Sequence, residues 1–137
     1  MPEYANEVIL AVDDEAILLR LIQAMLARYG YTVITAETAG EALEIFSLCP
    51  DIKIDLALID IVLPGGMNGI ELASEIRKVR PGLPILFISA HSPNPALRPV
   101  ALRDLPLLCK PFTSVTMVKK IREMLTPKTA TAGQAVG

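Results

Sequence analysis

Five polar side chains end or follow apolar runs of this sequence, and their chemistry is complementary. The five are Asp13, Asp14, Asp60, Ser89 and Lys110. If the apolar runs are parallel strands, their carboxyl ends meet along one edge of a sheet, so these side chains converge there. Three carboxylates in one place repel each other and stay ionised only when positive charge compensates them. Such oxygen ligands suit Mg²⁺, and the ammonium of Lys110 supplies a second positive charge.

Asp60 is the side chain on which this chemistry would centre. It ends the apolar run Leu56–Ile59, and Pro64 with two glycines follows it closely. A carboxylate surrounded by a metal ion, an ammonium and a hydroxyl can attack a phosphoryl group, while the cations and donors stabilise charge on the equatorial oxygens. The pattern therefore predicts a phosphoryl-accepting aspartate with an aspartyl phosphate as product.

Apolar runs alternate with segments of helical spacing along the chain. The predicted strands are Val8–Val12, Thr32–Ala36, Leu56–Asp60, Ile85–Ser89 and a short one near Leu107–Cys109. Apolar spacing and capping signals predict helices at about 15–29, 38–46, 68–79 and 114–125. The first helix is expected to bury Leu18, Leu21, Ile22 and Met25. This alternation predicts an α/β protein with a parallel sheet between two layers of helices.

Two stretches depart from regular structure. Residues 91–106 hold four prolines, each of which removes a backbone donor and disfavours helix for its predecessor. The segment is expected to form no full helix, with room for one or two turns after Pro95. Residues 127–137 lack large core-forming side chains and are expected to form a flexible tail.

Composition sets the outer limits on function. A chain of 137 residues with 52% hydrophobic content suits one domain, and a net charge of −2 gives no support for direct nucleic-acid binding. No signal peptide is recognisable and no apolar run is long enough to cross a membrane, so no membrane partner is expected. Cys49 and Cys109 lack metal-ligand spacing and are interpreted as small buried hydrophobes in a reducing cytoplasm.

The ordered set of motifs resembles the receiver domains of two-component response regulators. The resemblance rests on Asp13-Asp14, Asp60, Pro64, Ser89-Ala90 and Lys110-Pro111-Phe112, and it covers residues 7–125. It implies a flavodoxin-like, doubly wound sheet of five parallel strands in the order 2-1-3-4-5, with the fourth helix short or irregular here. The domain would run from 7 to 126, after an extension of residues 1–6.

The resemblance also implies a role for each site residue. Asp60 would accept a phosphoryl group from a histidine kinase or phosphotransfer protein. Asp13 and Asp14 would hold Mg²⁺ together with Asp60 and the backbone carbonyl of Val62. Ser89 would be the switch hydroxyl, and Lys110 would pair with the phosphoryl group and precede a cis proline.

Three features depart from the family pattern. The loop Pro64–Gly69 is one glycine longer than usual, which predicts a more pliable loop. Leu107 takes the place of the switch aromatic, so the usual rotation of a Tyr or Phe cannot occur. The proline-rich segment 91–106 replaces most of the helix that commonly docks output partners. Val62 and His91, each two residues past a site residue, are candidate modulators of water access or of the incoming phosphate.

Several functions are compatible with these residues. The preferred one is a single-domain, phosphorylation-dependent switch that acts through a protein partner and is not a turnover enzyme. A receiver module of a hybrid histidine kinase and a phosphate sink in a relay are the alternatives. A phosphohydrolase of the haloacid-dehalogenase type would need an acid where Val62 stands, and a purely structural pseudo-receiver would not need every acid and the lysine.

Overall fold

A computed structural model describes residues 6–90 and 94–126 of this chain. These residues contain five strands and four α-helices. The strands are β1 (Val8–Val12), β2 (Thr32–Ala36), β3 (Leu56–Asp60), β4 (Ile85–Ser89) and β5 (Leu107–Cys109). The helices are α1 (Ala16–Ala27), α2 (Ala39–Leu48), α3 (Gly69–Val79) and α4 (Ser114–Leu125). The five strand bounds coincide with the predicted ones. Four strands are continuous apolar runs ended by a polar residue, and β2 is rich in β-branched residues.

All strand pairs are parallel, and the strand order is β2-β1-β3-β4-β5. This is the predicted order 2-1-3-4-5. Side chains alternate along each strand between two separate apolar cores, one on each face of the sheet. Leu10 and Ala57 pack with α2 and α3 on one face, whereas Ile9 and Leu58 pack with α1 and α4 on the other. Burial on both faces explains the continuous apolar runs.

Helices α2 and α3 begin at recognisable caps. Thr38 accepts a hydrogen bond from the backbone N–H of Glu41 at the start of α2. Asn68 and Glu71 form a complete capping box at the start of α3. Both caps were predicted from the sequence, and each satisfies backbone donors that a helix start leaves free.

The predicted apolar face of the first helix was partly wrong. α1 buries Leu19, Ile22 and Leu26, while Leu21 is 49% exposed. The segment is apolar on several sides, so its periodicity did not define one face. α1 also ends before Arg28, and Gly30 then adopts a positive φ of 93° that turns the chain into β2.

The connection from β4 to β5 contains no α-helix among its described residues, as predicted. Two short 3₁₀ turns, Pro95–Leu97 and Val100–Leu102, are followed by β5. Leu102 is buried and Leu105 packs against the core, while Leu97 and Val100 are exposed. These two inward side chains hold the connection against the sheet.

Two further observations concern composition. The expectation of buried cysteines was wrong, because Cys49 is exposed and Cys109 half-buried, and both are free thiols. Within the described residues, no helix combines the length and apolarity that crossing a membrane requires.

Candidate functional site

The carboxyl ends of β1, β3 and β5 bring three of the predicted side chains into contact. Lys110 follows β5, and its Nζ lies 3.2 Å from Asp60 Oδ2 and 3.8 Å from Asp13 Oδ2. Asp13 directly follows Val12, which pairs in register with Ile59. The parallel register therefore forces the carboxylates after β1 and at the end of β3 to be neighbours.

Asp13 is fully buried, and its two carboxylate oxygens are in different situations. Oδ1 accepts a 2.8 Å hydrogen bond from the backbone N–H of Glu15. Oδ2 has no hydrogen-bond partner among the described residues. The pKa of Asp13 is raised from 3.8 to about 7. Burial is the largest cause and the neighbouring Asp60 carboxyl group acts in the same direction, while the Glu15 N–H and the charge of Lys110 oppose them. A buried, incompletely satisfied carboxylate is costly unless a cation joins it.

Asp60 is 6% exposed and lies where a cleft of about 460 Å³ meets the sheet edge. Its Oδ1 accepts a 2.9 Å hydrogen bond from the backbone N–H of Val62, which leaves Oδ2 facing Lys110. The cleft is lined by Asp14, Glu15, Asp60, Val62, Leu63, Pro64, Ala90 and Lys110. The carboxylate is thus oriented by the backbone and borders the cleft.

Among the residues that line the cleft, Lys110 is the positively charged one. Partial burial lowers its pKa, but the hydrogen bond and charge of Asp60, with the charges of Asp13 and Glu15, outweigh burial and leave the pKa raised. The ammonium is therefore firmly protonated. The Lys110–Pro111 peptide bond is cis, as predicted.

The acidic cluster fits a hard divalent cation. Asp13, Asp14 and Asp60 each offer one carboxylate oxygen, and these oxygens lie within 4.8 Å of one another. Asp14 is exposed at the cleft while the other two are buried, so a bound cation would keep some contact with solvent. Oδ2 of Asp13, which lies 3.8 Å from Lys110 Nζ but accepts no hydrogen bond among the described residues, adds an oxygen that can bind a cation. The backbone carbonyl of Val62 stays a predicted ligand.

The remaining predicted residues differ in how close they come to this cluster. Ser89 is 4% exposed and ends β4, where its carbonyl accepts a 2.8 Å hydrogen bond from the Lys110 N–H. Leu107 is buried, as expected of a core residue. Val62 is 76% exposed at the cleft rim. His91 lies outside the described residues.

Two residues at the site were not found from the sequence. The Oε1 of Glu15 lies 3.6 Å from Lys110 Nζ. Gly69 begins α3 and packs directly on the end of β3, where an added Cβ would overlap the Asp60 carbonyl oxygen and approach Ile61 Cα to 2.8 Å. Gly69 also donates a 2.8 Å hydrogen bond to the Ile61 carbonyl. A glycine inside a capping box is the signal that would have indicated this close approach.

The glycines of the longer loop have a different role. Gly65 and Gly66 both have φ of 91°, a conformation that other residues rarely adopt, and a Cβ on either would meet nothing within 4 Å. The extra residue is therefore accommodated by backbone conformation, away from packed atoms.

Comparison with known proteins agrees with this geometry. The family model of the response regulator receiver domain matches residues 9–122. The chain is 38% identical over 87 residues to the transcriptional regulatory protein GlrR of Escherichia coli, covering 64% of this chain and 19% of that protein. It is 32% identical over 119 residues to the sensor kinase CckA of Brucella abortus, covering 86% of this chain and 12% of that protein.

Solved structures show the same fold. The chemotaxis protein CheY4 of Vibrio cholerae has a TM-score of 0.73 and 28% identity, covering 88% of this chain and all of that one. A response regulator receiver protein of Sinorhizobium medicae has a TM-score of 0.72 and 30% identity, covering 87% of this chain and 94% of that one. The resemblance that the motifs indicated is confirmed over most of the sheet and its helices, and the chain belongs to the response regulator receiver domain family.

Proposed function

We propose that this chain is a phosphorylation-dependent signalling switch of a two-component system or phosphorelay, with Asp60 as phosphoacceptor. The observation that carries the proposal is the 3.2 Å contact between Asp60 Oδ2 and Lys110 Nζ inside a cluster of three carboxylates. A carboxylate held this way can accept a phosphoryl group, because an adjacent cation stabilises charge on the transferred oxygens.

The transfer forms a bond between a carboxylate oxygen of Asp60 and phosphorus. The bond that breaks joins phosphorus to a histidine nitrogen of the donor protein, and the imidazole leaves with the bonding electron pair. Lys110 then pairs with a phosphoryl oxygen. Water later attacks phosphorus, inorganic phosphate leaves, and the Asp60 carboxylate is restored. This self-limiting cycle makes the chain a phosphoacceptor and not a turnover enzyme on a metabolite.

We assign Mg²⁺ to Asp13, Asp14 and Asp60, with the Val62 carbonyl as a further ligand. When bound, the cation would neutralise charge on the phosphoryl oxygens. The residues themselves supply the orientation: the Glu15 N–H fixes Asp13, and the Val62 N–H fixes Asp60. Each hydrogen bond uses the Oδ1 atom of its carboxylate, so the Oδ2 atoms of Asp13 and Asp60 remain for a cation.

Ser89 is assigned the switch hydroxyl because it ends β4 beside the strand that Lys110 follows. Leu107 carries no aromatic ring, so the response to phosphorylation does not use the rotation of a Tyr or Phe at that position. Val62, exposed at the cleft rim, is assigned a role in limiting water access. His91 and a cytoplasmic location stay predictions.

The donor is a histidine kinase or a phosphotransfer protein, and the output is a protein partner. The likeness to a sensor kinase supports the assignment of the donor. Nothing in the described residues supports direct contact with nucleic acid or membrane. A domain spanning 7–126 is the unit to which we assign this activity.

A receiver module of a hybrid kinase is the second candidate. It is favoured by the likeness to the sensor histidine kinase AruS of Pseudomonas aeruginosa, which is 35% identical over 132 residues, covering 93% of this chain and 13% of that protein. The phosphohydrolase alternative lacks support, because the cleft position two residues past Asp60 carries the aliphatic Val62.

Labelling with acetyl [³²P]phosphate and Mg²⁺ tests the proposal directly. The wild-type chain should take up label, and Asp60→Asn should abolish it. Asp51→Asn is the matched control, because Asp51 is an exposed acid that does not line the cleft. Equal labelling of the Asp60→Asn variant and the wild-type protein would contradict the proposal.

A further inference from the structure

Glu15 occupies the N-cap position of α1 but does not cap the helix with its side chain. It is the N-cap residue of α1, where Ser, Thr, Asp or Asn is preferred because a short side chain can accept from the first backbone donors. The Glu15 side chain makes no capping hydrogen bond. A residue type that is unfavourable for N-capping at this position is a candidate for a role at the neighbouring site.

Its contacts point into the cleft. Glu15 Oε1 lies 3.6 Å from Lys110 Nζ, only slightly farther than the 3.2 Å that separates Lys110 Nζ from Asp60 Oδ2. The Glu15 N–H donates to Asp13 Oδ1 at 2.8 Å. Glu15 therefore reaches both the acid cluster, through its backbone, and the lysine, through its carboxylate.

The exposures of the two carboxylates that share Lys110 are very different. The side chain of Glu15 is 64% exposed, whereas that of Asp60 is 8% exposed. Lys110 must turn toward a phosphoryl oxygen when one arrives, and the contact given up at least cost is the one that water can replace. That contact is the one with Glu15.

We propose that Glu15 is a positioning residue for Lys110, and that its charge opposes entry of a dianionic phosphoryl donor into the cleft. The inference rests on the proposed function. Four carboxylates against one ammonium and one divalent cation leave the site with one net negative charge. Without the charge of Glu15 the loaded site is neutral, and the repulsion of a phosphate dianion falls.

The test compares the second-order rate constant for phosphorylation by acetyl phosphate in the wild-type chain and in Glu15→Gln. Glutamine keeps the size of the side chain and removes its charge, and it caps no better than glutamate, so the fold is retained. The rate constant should rise about two- to fivefold, a range set by one exposed charge near the reacting group.

Dependence on salt separates this electrostatic role from a structural one. Wild-type phosphorylation should accelerate with added salt, because screening weakens the repulsion. The Glu15→Gln variant should show a shallower dependence. The matched control is Glu75→Gln, since Glu75 is paired with Lys78 at 2.7 Å on α3 and does not line the cleft. Its rate and salt dependence should equal those of the wild type.

A second readout needs neither phosphate nor magnesium. The side-chain NMR signal of Lys110 in labelled protein should move in Glu15→Gln and stay in place in Glu75→Gln. Rates and signals of Glu15→Gln that equal the wild type would overturn the inference and leave the proposed function standing. A wild-type chain that takes up no label would overturn the proposed function, and this inference with it.

Discussion

Charged side chains are paired at the amino end of the sheet and incompletely paired at its carboxyl end. At the amino end, Asp55 accepts a 2.8 Å hydrogen bond from the Val8 N–H and lies 3.7 Å from Lys53. Arg122 there contacts both oxygens of Glu7 at 3.1 and 3.2 Å, and the Tyr31 hydroxyl at 3.2 Å. At the carboxyl end, one buried oxygen of Asp13 lacks a hydrogen bond.

This comparison distinguishes charged groups that stabilise the fold from charged groups that can bind a ligand. The amino-end groups are each paired or hydrogen-bonded, so little would be gained by adding an ion. The carboxyl-end group carries more acids than its lysine can neutralise. Burial, together with the nearby Asp60 carboxylate, raises the pKa of Asp13. Matched substitutions at the two ends can therefore test whether the imbalance is the source of function.

The largest contrast is expected between the two cations. Lys110→Gln should slow phosphoryl transfer to Asp60 about 100-fold, the scale for removing one group that stabilises developing charge. Arg122→Gln should leave transfer within about twofold and lower the free energy of unfolding by about 0.5–1 kcal/mol. Label uptake from acetyl phosphate and urea unfolding measure the two effects. Similar reductions of the phosphoryl-transfer rate in both variants would contradict the view that only the carboxyl end of the sheet carries the function.

Two glycines give the next contrast. Gly69→Ala should lower the free energy of unfolding by about 2–3 kcal/mol, because the added methyl group overlaps the end of β3. Gly82 lies before β4 at the amino end, where an added Cβ meets nothing within 4 Å. Gly82→Ala should change stability by about 0.5 kcal/mol or less, toward greater stability. Chemical denaturation decides between them, and an unaffected Gly69→Ala protein would disprove the close approach.

Two acids should respond with opposite signs. In magnesium-free buffer at pH 8, Asp13→Asn should raise the free energy of unfolding by about 1–2 kcal/mol, because it removes a buried charge whose ionised form is disfavoured. Asp55→Asn should lower it by about 1 kcal/mol, because the charge-assisted bond to Val8 is weakened. Added Mg²⁺ should stabilise the wild type and the Asp55 variant, and have little effect on the Asp13 variant.

The smallest effect concerns pH. The pKa of Asp13 is about 7 in the folded chain and near 3.8 when unfolded, so the folded state keeps a proton that the unfolded state has released. The stabilisation from this proton is present at low pH and is lost as pH rises toward 7. Without magnesium, wild-type stability relative to Asp13→Asn should fall by about 1 kcal/mol between pH 5 and 7. A constant difference would mean an ordinary pKa for Asp13.

The sequence was sufficient for the strands and for the central contact of the site. Four of the five strands are apolar runs ended by a polar group, so the runs defined most of the sheet and the edge where Asp60 and Lys110 meet. The buried face of α1 was not predictable in the same way, because Ile17, Leu18, Leu19, Leu21 and Ile22 are all apolar. Only packing against the sheet decides which of them face inward.

The two residues that sequence reasoning missed depend on tertiary contacts. Glu15 acquires its contact with Lys110 only when α1 and β5 are brought to the same edge. Gly69 is required by the closeness of α3 to β3, and its sign in the sequence is a glycine inside a capping box. Each nevertheless breaks a local rule, since glutamate is a poor cap and glycine a poor helix former. Such exceptions next to a predicted site are useful guides.

Gly65 and Gly66, in the loop after Asp60, are positions where a D-amino acid would fit better than an L-amino acid. Both adopt a backbone conformation natural to mirror-image amino acids, and space is open around each. D-alanine introduced there by chemical ligation would stiffen the loop without a clash, while L-alanine would be strained. The span that borders the acceptor could thus be made rigid by chirality alone, with every atom of the acidic cluster left in place.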